Sequence, residues 1–250
     1  MTETSGQAPV TKLDFDFSFP LAELCIVRLS AIGDTCHTVP VVRSIQRNWP
    51  GTRITWIIGK TEHALLNGLE NVEFAVLDKS LGLAGYRQLR KQLNGRYFPL
   101  LLNMHASLRS GIASWMPRAG VRLGFDKARA RDYQWLFCNR RIPAQAQRHV
   151  MDGLFEFASA IGIDDHEPVW NIPLGEAAIS TATQLVDDSS PSLVISPCTG
   201  QRFRNYRNWR IENYSAIADY AQRRYGAQVF LTGGNSDIER QYADAIVGGT

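Results

Sequence analysis

Asp34 stands at the end of an apolar run, Leu24 to Leu29, that breaks at Ser30-Ala31-Ile32-Gly33-Asp34 before an amphipathic helix pattern begins. A carboxylate at a strand-to-helix turn can act as general base, taking a proton from a bound hydroxyl. It can equally cap the following helix through its side chain. The two roles are compatible in different ligand states, and spacing leaves both open. Gly33 lets the backbone turn there or approach a ligand closely. His37 lies one helical turn on and can face the same cleft, or serve structure alone.

Two further stretches carry charge suited to anions. Between Arg118 and Arg148, the basic residues Arg118, Arg122, Lys127, Arg129, Arg131, Arg140, Arg141 and Arg148 face only Asp126 and Asp132. That excess suits an anionic, phosphorylated partner, or a solvated surface face. Tyr133, Trp135 and Phe137 are interleaved, and helical core packing explains them at least as well as base stacking. The second stretch, SPCTGQRFRNYRNW from Ser196 to Trp209, places Thr199, Gly200, Arg202, Arg204 and Arg207 between a strand and a helix. Small hydroxyl and glycine residues there let backbone N–H groups approach phosphate oxygens. The GxxxxGK pattern is missing, so this is not a Walker loop. Gly233-Gly234 closes the next strand in a similar way. A GxGxxG pattern is absent after Leu29, which disfavours a nicotinamide dehydrogenase. The four cysteines are scattered, with no zinc spacing.

These residues need a scaffold, and the chain supplies a strict alternation. Strands read at Leu24–Leu29, Ile54–Ile58, Glu73–Leu77, Pro99–Met104 and Val121–Phe125. Helices read at Thr35–Asn48, Glu62–Leu69, Leu83–Leu93 and Leu108–Trp115. Pro40 is tolerable only in a first helical turn. Such alternation predicts a parallel sheet covered on both faces, with ligands at its carboxyl edge. Helix patterns resume at Asp132–Phe137 and His149–Ile161, and Ile163–Asp188 reads as a linker. A second unit follows: strand Leu193–Ser196, helix Ile211–Tyr225, strand Gln228–Thr232, helix Asp237–Val247. We therefore divide the chain into a polar tail (1–20), a Rossmann-like domain (21–165), a linker (166–190) and a partial second domain (191–250). A second α/β domain needs on the order of 100 residues, so the expectation is truncation.

At 250 residues, 44% hydrophobic and 20% charged, the composition is globular. The net charge of +3 does not imply nucleic acid. The first residues lack a basic start and an apolar core, so no secretory signal is expected. No apolar stretch approaches the ~20 residues of a membrane span. A cytoplasmic location is expected, with attachment to a membrane surface left open.

Together the stretches RLSAIGDTCHTVP, the WPG turn, ITWIIG, LLLNMHASLRSG, GVRLGFD, HVMDGLFEFASAIGI, LVISPCTG, RNWRIENYSAIADYA and VFLTGGNSDIE resemble the lipopolysaccharide heptosyltransferases of glycosyltransferase family nine. The resemblance implies a GT-B architecture: two Rossmann-like domains facing a cleft, the C-terminal one here apparently truncated. It implies an inverting, metal-independent transfer of heptose from a nucleotide-sugar, usually ADP-heptose, with no cofactor. The acceptor would be the phosphorylated inner core of lipopolysaccharide, on the cytoplasmic face of the inner membrane. Asp34 matches the family's general base. Ser30, Gly33, His37, His105, Arg109 and Arg122 fall where acceptor binding is expected, and Thr199, Gly200, Arg204, Arg207 and Gly233 where the donor diphosphate is expected. The chain ends before the family's Asp-Thr-Gly-Pro-x-His stretch, and Cys198 sits where a small residue is commoner. The alternative is a non-catalytic protein holding an anionic glycolipid, or an inactive fragment.

Overall fold

A computed structural model describes residues 12–146, 149–199, 207–234 and 236–249. The chain divides into two compact units, with the boundary between Pro173 and Leu174.

The first unit is built on six parallel strands. They are β1 (Glu23–Val27), β2 (Arg53–Gly59), β3 (Val72–Leu77), β4 (Tyr97–Asn103), β5 (Arg118–Gly124) and β6 (Arg140–Arg141), in the order β3-β2-β1-β4-β5-β6. The central strand β1 pairs with β2 on one side and β4 on the other. From Leu24 on it is an unbroken apolar run because both of its faces are covered. Leu24 and Ile26 pack into one layer with Val42, Ile45, Phe155 and Phe157. Cys25 and Val27 pack into the other with Leu89, Leu93 and Ala113. The sheet order reverses direction at β1 and β4, and open α/β sheets place ligands at the carboxyl ends of strands beside such a point.

The helices of this unit are α1 (Ile32–Cys36), α2 (Val39–Asn48), α3 (Lys60–Leu66), α4 (Leu83–Leu93), α5 (Leu108–Ser114) and α6 (Val150–Ala160). The single helix expected over Thr35–Asn48 is two. Pro40 has no N–H to extend a helix from α1 and sits instead in the first turn of α2, which leaves His37 and Thr38 as the joint. The helix expected over Asp132–Phe137 is also absent. Asp132 and Tyr133 have φ of 50° and 60°, and only Gln134–Leu136 forms a short 3-10 turn. Tertiary bonds override the helical pattern: buried Gln134 donates to the Asn103 carbonyl (2.8 Å) and accepts from the Phe125 N–H (3.2 Å).

The stretch read as a linker is structured. Its first part lies on α1 and α2: Arg47 of α2 pairs with Asp165 at 2.7 Å, and Trp170 donates to the Cys36 carbonyl of α1 at 3.1 Å. Its second part forms α7 (Glu176–Leu185), at the start of the second unit. That unit continues with β7 (Ser192–Ile195), α8 (Ile211–Tyr225), β8 (Gln228–Leu231) and α9 (Asp237–Gly248), and β7 pairs parallel with β8. Among the described residues, no helix is long and apolar enough to cross a membrane.

Candidate active site

The carboxyl ends of β1, β4 and β5, with α6 opposite, enclose a cavity of about 680 Å³. Arg28, Asp34, His105, Phe125, Arg129, Arg131 and His149 line it. Arg28 follows β1 directly and is 7% exposed. Its guanidinium donates to the Met104 carbonyl at 2.5 Å and pairs with Asp34 Oδ2 at 2.9 Å. It therefore ties the end of β4 to α1. Burial pulls the Arg28 pKa down, and the Asp34 carboxylate opposes that shift.

Asp34 sits in the first turn of α1, not in the turn before it. Its Oδ2 also accepts the Ala31 N–H at 3.4 Å. Helix capping and a place in the cavity thus coexist in one side chain, as carboxylates in a first helical turn permit. Both contacts fall on Oδ2, and Oδ1 has no partner among the described residues.

His105 follows β4. Its Nδ1 accepts the Leu29 N–H at 3.3 Å, which leaves the proton of the neutral ring on Nε2. Burial, then Arg28 and Lys79, lower its pKa to about 4 against the opposing effect of Asp34. At neutral pH the ring is a neutral donor inside a cationic wall.

On the far wall, Arg129 is clamped between two buried carboxylates, Asp126 and Glu156, and stacks over Phe125 at 5.6 Å. Arg131 is exposed at the rim. His149 caps α6, its Nδ1 accepting the Met151 N–H at 3.3 Å. Arg28 is paired with Asp34 and Arg129 with Asp126 and Glu156, so Arg131 is the lining cation that faces a ligand's charge, and with two imidazoles and the apolar Phe125 and Leu154 the cavity suits a polyhydroxylated ligand that carries negative charge. Among the described residues, no group of three His, Cys, Asp or Glu side chains converges to hold a metal ion.

Of the residues picked from sequence, Asp34 and His105 meet in this cavity. His37 stands just behind it, its ring edge-on to His149 at 5.4 Å. Ser30 is half-buried at the mouth of β1 but does not line the cavity. Gly33 lies within α1, and a Cβ there would meet nothing within 4 Å, so neither a turn nor packing demands glycine. Arg109 is exposed on α5, away from the cavity. Arg122 is also elsewhere: its guanidinium donates to the Ser114, Ala119 and Pro117 carbonyls, each at 3.0 Å, and so braces the start of β5. Sequence reasoning did not select Arg28, although a charged residue ending the run LCIV was its visible signal. Arg129 and Arg131 were noted only as part of a basic stretch.

In the second unit, Thr199 donates its N–H (2.9 Å) and hydroxyl (3.2 Å) to Asn208 Oδ1, closing the loop between β7 and α8. Arg207 is exposed on that loop. Gly200 and Arg204 lie outside the described residues. Gly233 lines a separate depression of about 210 Å³ with Cys198, Thr232 and Glu239. The Gly234 N–H is occupied by Glu239 Oε1 at 2.8 Å. Hydrogen bonds from the Ser236 hydroxyl, then from the Gly234 and Ser236 N–H groups, hold the Glu239 carboxyl below its usual range.

An open parallel sheet with an arginine- and carboxylate-lined cavity at its switch point defines a Rossmann-like ligand-binding domain. The model of glycosyltransferase family 9 (heptosyltransferase) matches residues 86–250, and this chain belongs to that family. It is 41% identical over 200 residues to the lipopolysaccharide core heptosyltransferase OpsX of Haemophilus influenzae, covering 80% of this chain but 57% of that protein. Among solved structures, E. coli heptosyltransferase WaaC with ADP is similar at TM-score 0.68 and 22% identity, covering 91% of this chain and 72% of that one. A family 9 glycosyl transferase from Veillonella parvula reaches TM-score 0.76 at 17% identity, covering 95% and 69%. The α/β fold expected from the sequence is the fold of these structures.

Proposed function

We propose that the protein transfers heptose from a nucleotide-sugar, ADP-heptose by the family's pattern, to a lipopolysaccharide core acceptor held in the Asp34 cavity. Asp34 takes the proton of an acceptor hydroxyl. The oxygen attacks the anomeric carbon, and the carbon–oxygen bond to the diphosphate breaks with its electron pair leaving on ADP. Attack opposite the leaving group inverts the anomeric centre. The reaction needs no metal. Arg207 and Thr199 take the departing diphosphate, together with Gly200, Arg204 and Gly233. The reaction runs at the cytoplasmic face of the membrane.

One observation carries this reading. The Asp34 carboxylate is presented at the sheet's switch point with one oxygen held by buried Arg28 and the other without a partner among the described residues. A base must be fixed in direction and still accessible to its proton donor. Family membership and the likeness to OpsX support the donor and acceptor classes.

The test is Asp34→Asn in the full-length enzyme. Turnover should fall on the order of 10²–10⁴-fold while the Kd for ADP-heptose is unchanged. Near-normal turnover overturns the role of Asp34. Retained anomeric configuration in the product, or loss of activity with EDTA, overturns inversion or metal independence separately.

A further inference from the structure

Helix α1 carries Asp34 but has little of its own to hold it. It is five residues long, and Thr35 is its one buried residue. A helix this short is not stable alone and takes its place from contacts at its ends. At its start, buried Arg28 pairs with Asp34 Oδ2 at 2.9 Å. Beyond its end the backbone stays in the helical region through His37 (φ −65°, ψ −17°) and Thr38 (φ −81°, ψ −23°). The carbonyls of Ala31 and Gly33 accept regular helical bonds from the N–H groups of Thr35 (2.8 Å) and His37 (3.0 Å). The Cys36 carbonyl is denied such a bond. Four residues on stands Pro40, which has no N–H and whose ring crowds the carbonyl four positions before it.

The indole N–H of Trp170 takes that carbonyl at 3.1 Å. Trp170 comes from the segment after α6, and α2 grips this segment on both sides of the ring. Before the ring, the Asp165 carbonyl accepts from the Ser44 hydroxyl at 2.5 Å, and the Asp165 carboxylate pairs with Arg47 at 2.7 Å. After it, the Asn171 carbonyl accepts from Arg43 at 2.9 Å. The ring is 37% exposed and belongs to neither core layer. Burial of the ring therefore adds little, and what Trp170 supplies to α1 is its N–H.

We propose that Trp170 is a positioning residue of the transfer reaction: its indole N–H, held by the segment docked on α2, pins the Cys36 carbonyl and with it the end of the helix that bears Asp34. Arg28 then fixes the carboxylate, and Trp170 fixes the backbone behind it. A base must stand within hydrogen-bond reach of the hydroxyl it serves, and a displacement of about 1 Å is enough to cost much of the rate. This role rests on Asp34 acting as the general base, as proposed above. The anchoring of α1 does not, because it follows from the hydrogen bonds alone.

The test is Trp170→Phe in the full-length enzyme, which keeps a ring and removes the N–H. Amide hydrogen exchange in residues 32–38 should quicken on the order of fivefold to tenfold, as loss of one such bond allows. The kcat should fall by about the same factor, while KM for the nucleotide-sugar and the melting temperature stay close to those of the parent. Placed in Asp34→Asn, the same change should cost no further turnover, because a residue that acts through Asp34 then has nothing left to position. A general structural defect lowers both backgrounds alike, so losses that multiply overturn the proposal. Quickened exchange with unchanged kcat overturns the positioning role and keeps the anchor, and unchanged exchange overturns both. If Asp34→Asn itself keeps near-normal turnover, the general base falls and the positioning role with it, while exchange in Trp170→Phe still reads the anchor. If Trp170→Phe fails to fold, the parent decides: the Trp170 indole N–H should exchange with solvent more slowly than that of an exposed tryptophan, and equal rates overturn the anchor.

Discussion

Arg28 holds Asp34 Oδ2 at 2.9 Å while the same guanidinium donates to the Met104 carbonyl at 2.5 Å. One side chain thus fixes the carboxylate against the end of the neighbouring strand. The planar fork of arginine reaches both partners at once, which a lysine ammonium on a flexible stem does less well. Arg28→Lys should therefore lower kcat on the order of tenfold, and Arg28→Met by more, with KM for the donor little changed. Hydrogen bonds to charged groups are worth about 1.5–3 kcal/mol, so Arg28→Met should also lower unfolding free energy by that order. Steady-state kinetics beside urea denaturation separates the two effects. A variant as active as the parent would remove Arg28 from the site.

His105 makes the fold sensitive to mild acid. Its pKa is lowered from 6.5 to about 4 by burial and by Arg28 and Lys79. Between these values the unfolded chain binds the proton and the folded one does not. Stability from this group is thus fully present above pH 6.5 and is lost as pH falls toward 4. The loss is at most about 3 kcal/mol, from 1.36 kcal/mol per unit. His105→Gln cannot titrate and should flatten the stability-against-pH curve in that window. An unchanged slope would place the acid sensitivity elsewhere.

Much of the first unit was legible because its strands are buried on both faces. Leu24 to Val27 and Leu100 to Leu102 are then plain apolar runs, separated by helices of clear period. The turn at Asp132–Phe137 was not legible, because Gln134 bonds to carbonyls some thirty residues away. Helix α7 was missed because it buries none of its residues, so no apolar stripe marks it. In the site, Asp34 was visible from its place after a strand, and His105 only through the family resemblance. Arg122 misled, because its charge serves nearby backbone and a sequence does not show which partner an arginine takes.

Gly59 ends β2 where the chain crosses the end of β1. Its N–H donates to the Leu29 carbonyl at 3.1 Å. A Cβ there would lie 2.4 Å from that same carbonyl oxygen. The obstacle is backbone, so no rotamer change relieves it. Gly59→Ala should cost roughly 1–3 kcal/mol, as overpacking does. Gly33→Ala meets nothing within 4 Å and should leave the melting temperature close to that of the parent. Thermal melts of the two variants check the contrast. Equal losses would mean that β1 and β2 can separate at this edge.

Arg129 and Arg131 stand two residues apart, line one cavity and should behave in opposite ways. Arg129 neutralises Asp126 and Glu156, which are 4% and 2% exposed. Arg129→Met would bury two uncompensated carboxylates and should cost about 3–5 kcal/mol. Adding Glu156→Leu should recover part of that loss, because Asp126 keeps the Ala128 N–H at 2.8 Å. Arg131 is exposed, and Arg131→Met should stay within about 0.5 kcal/mol of the parent in stability. Its loss should instead raise KM for a negatively charged acceptor, with less effect when that charge is removed. Urea titrations with acceptor kinetics read both outcomes. A recovered double variant would show that Arg129 anchors the wall, which leaves Arg131 free to read the ligand's charge.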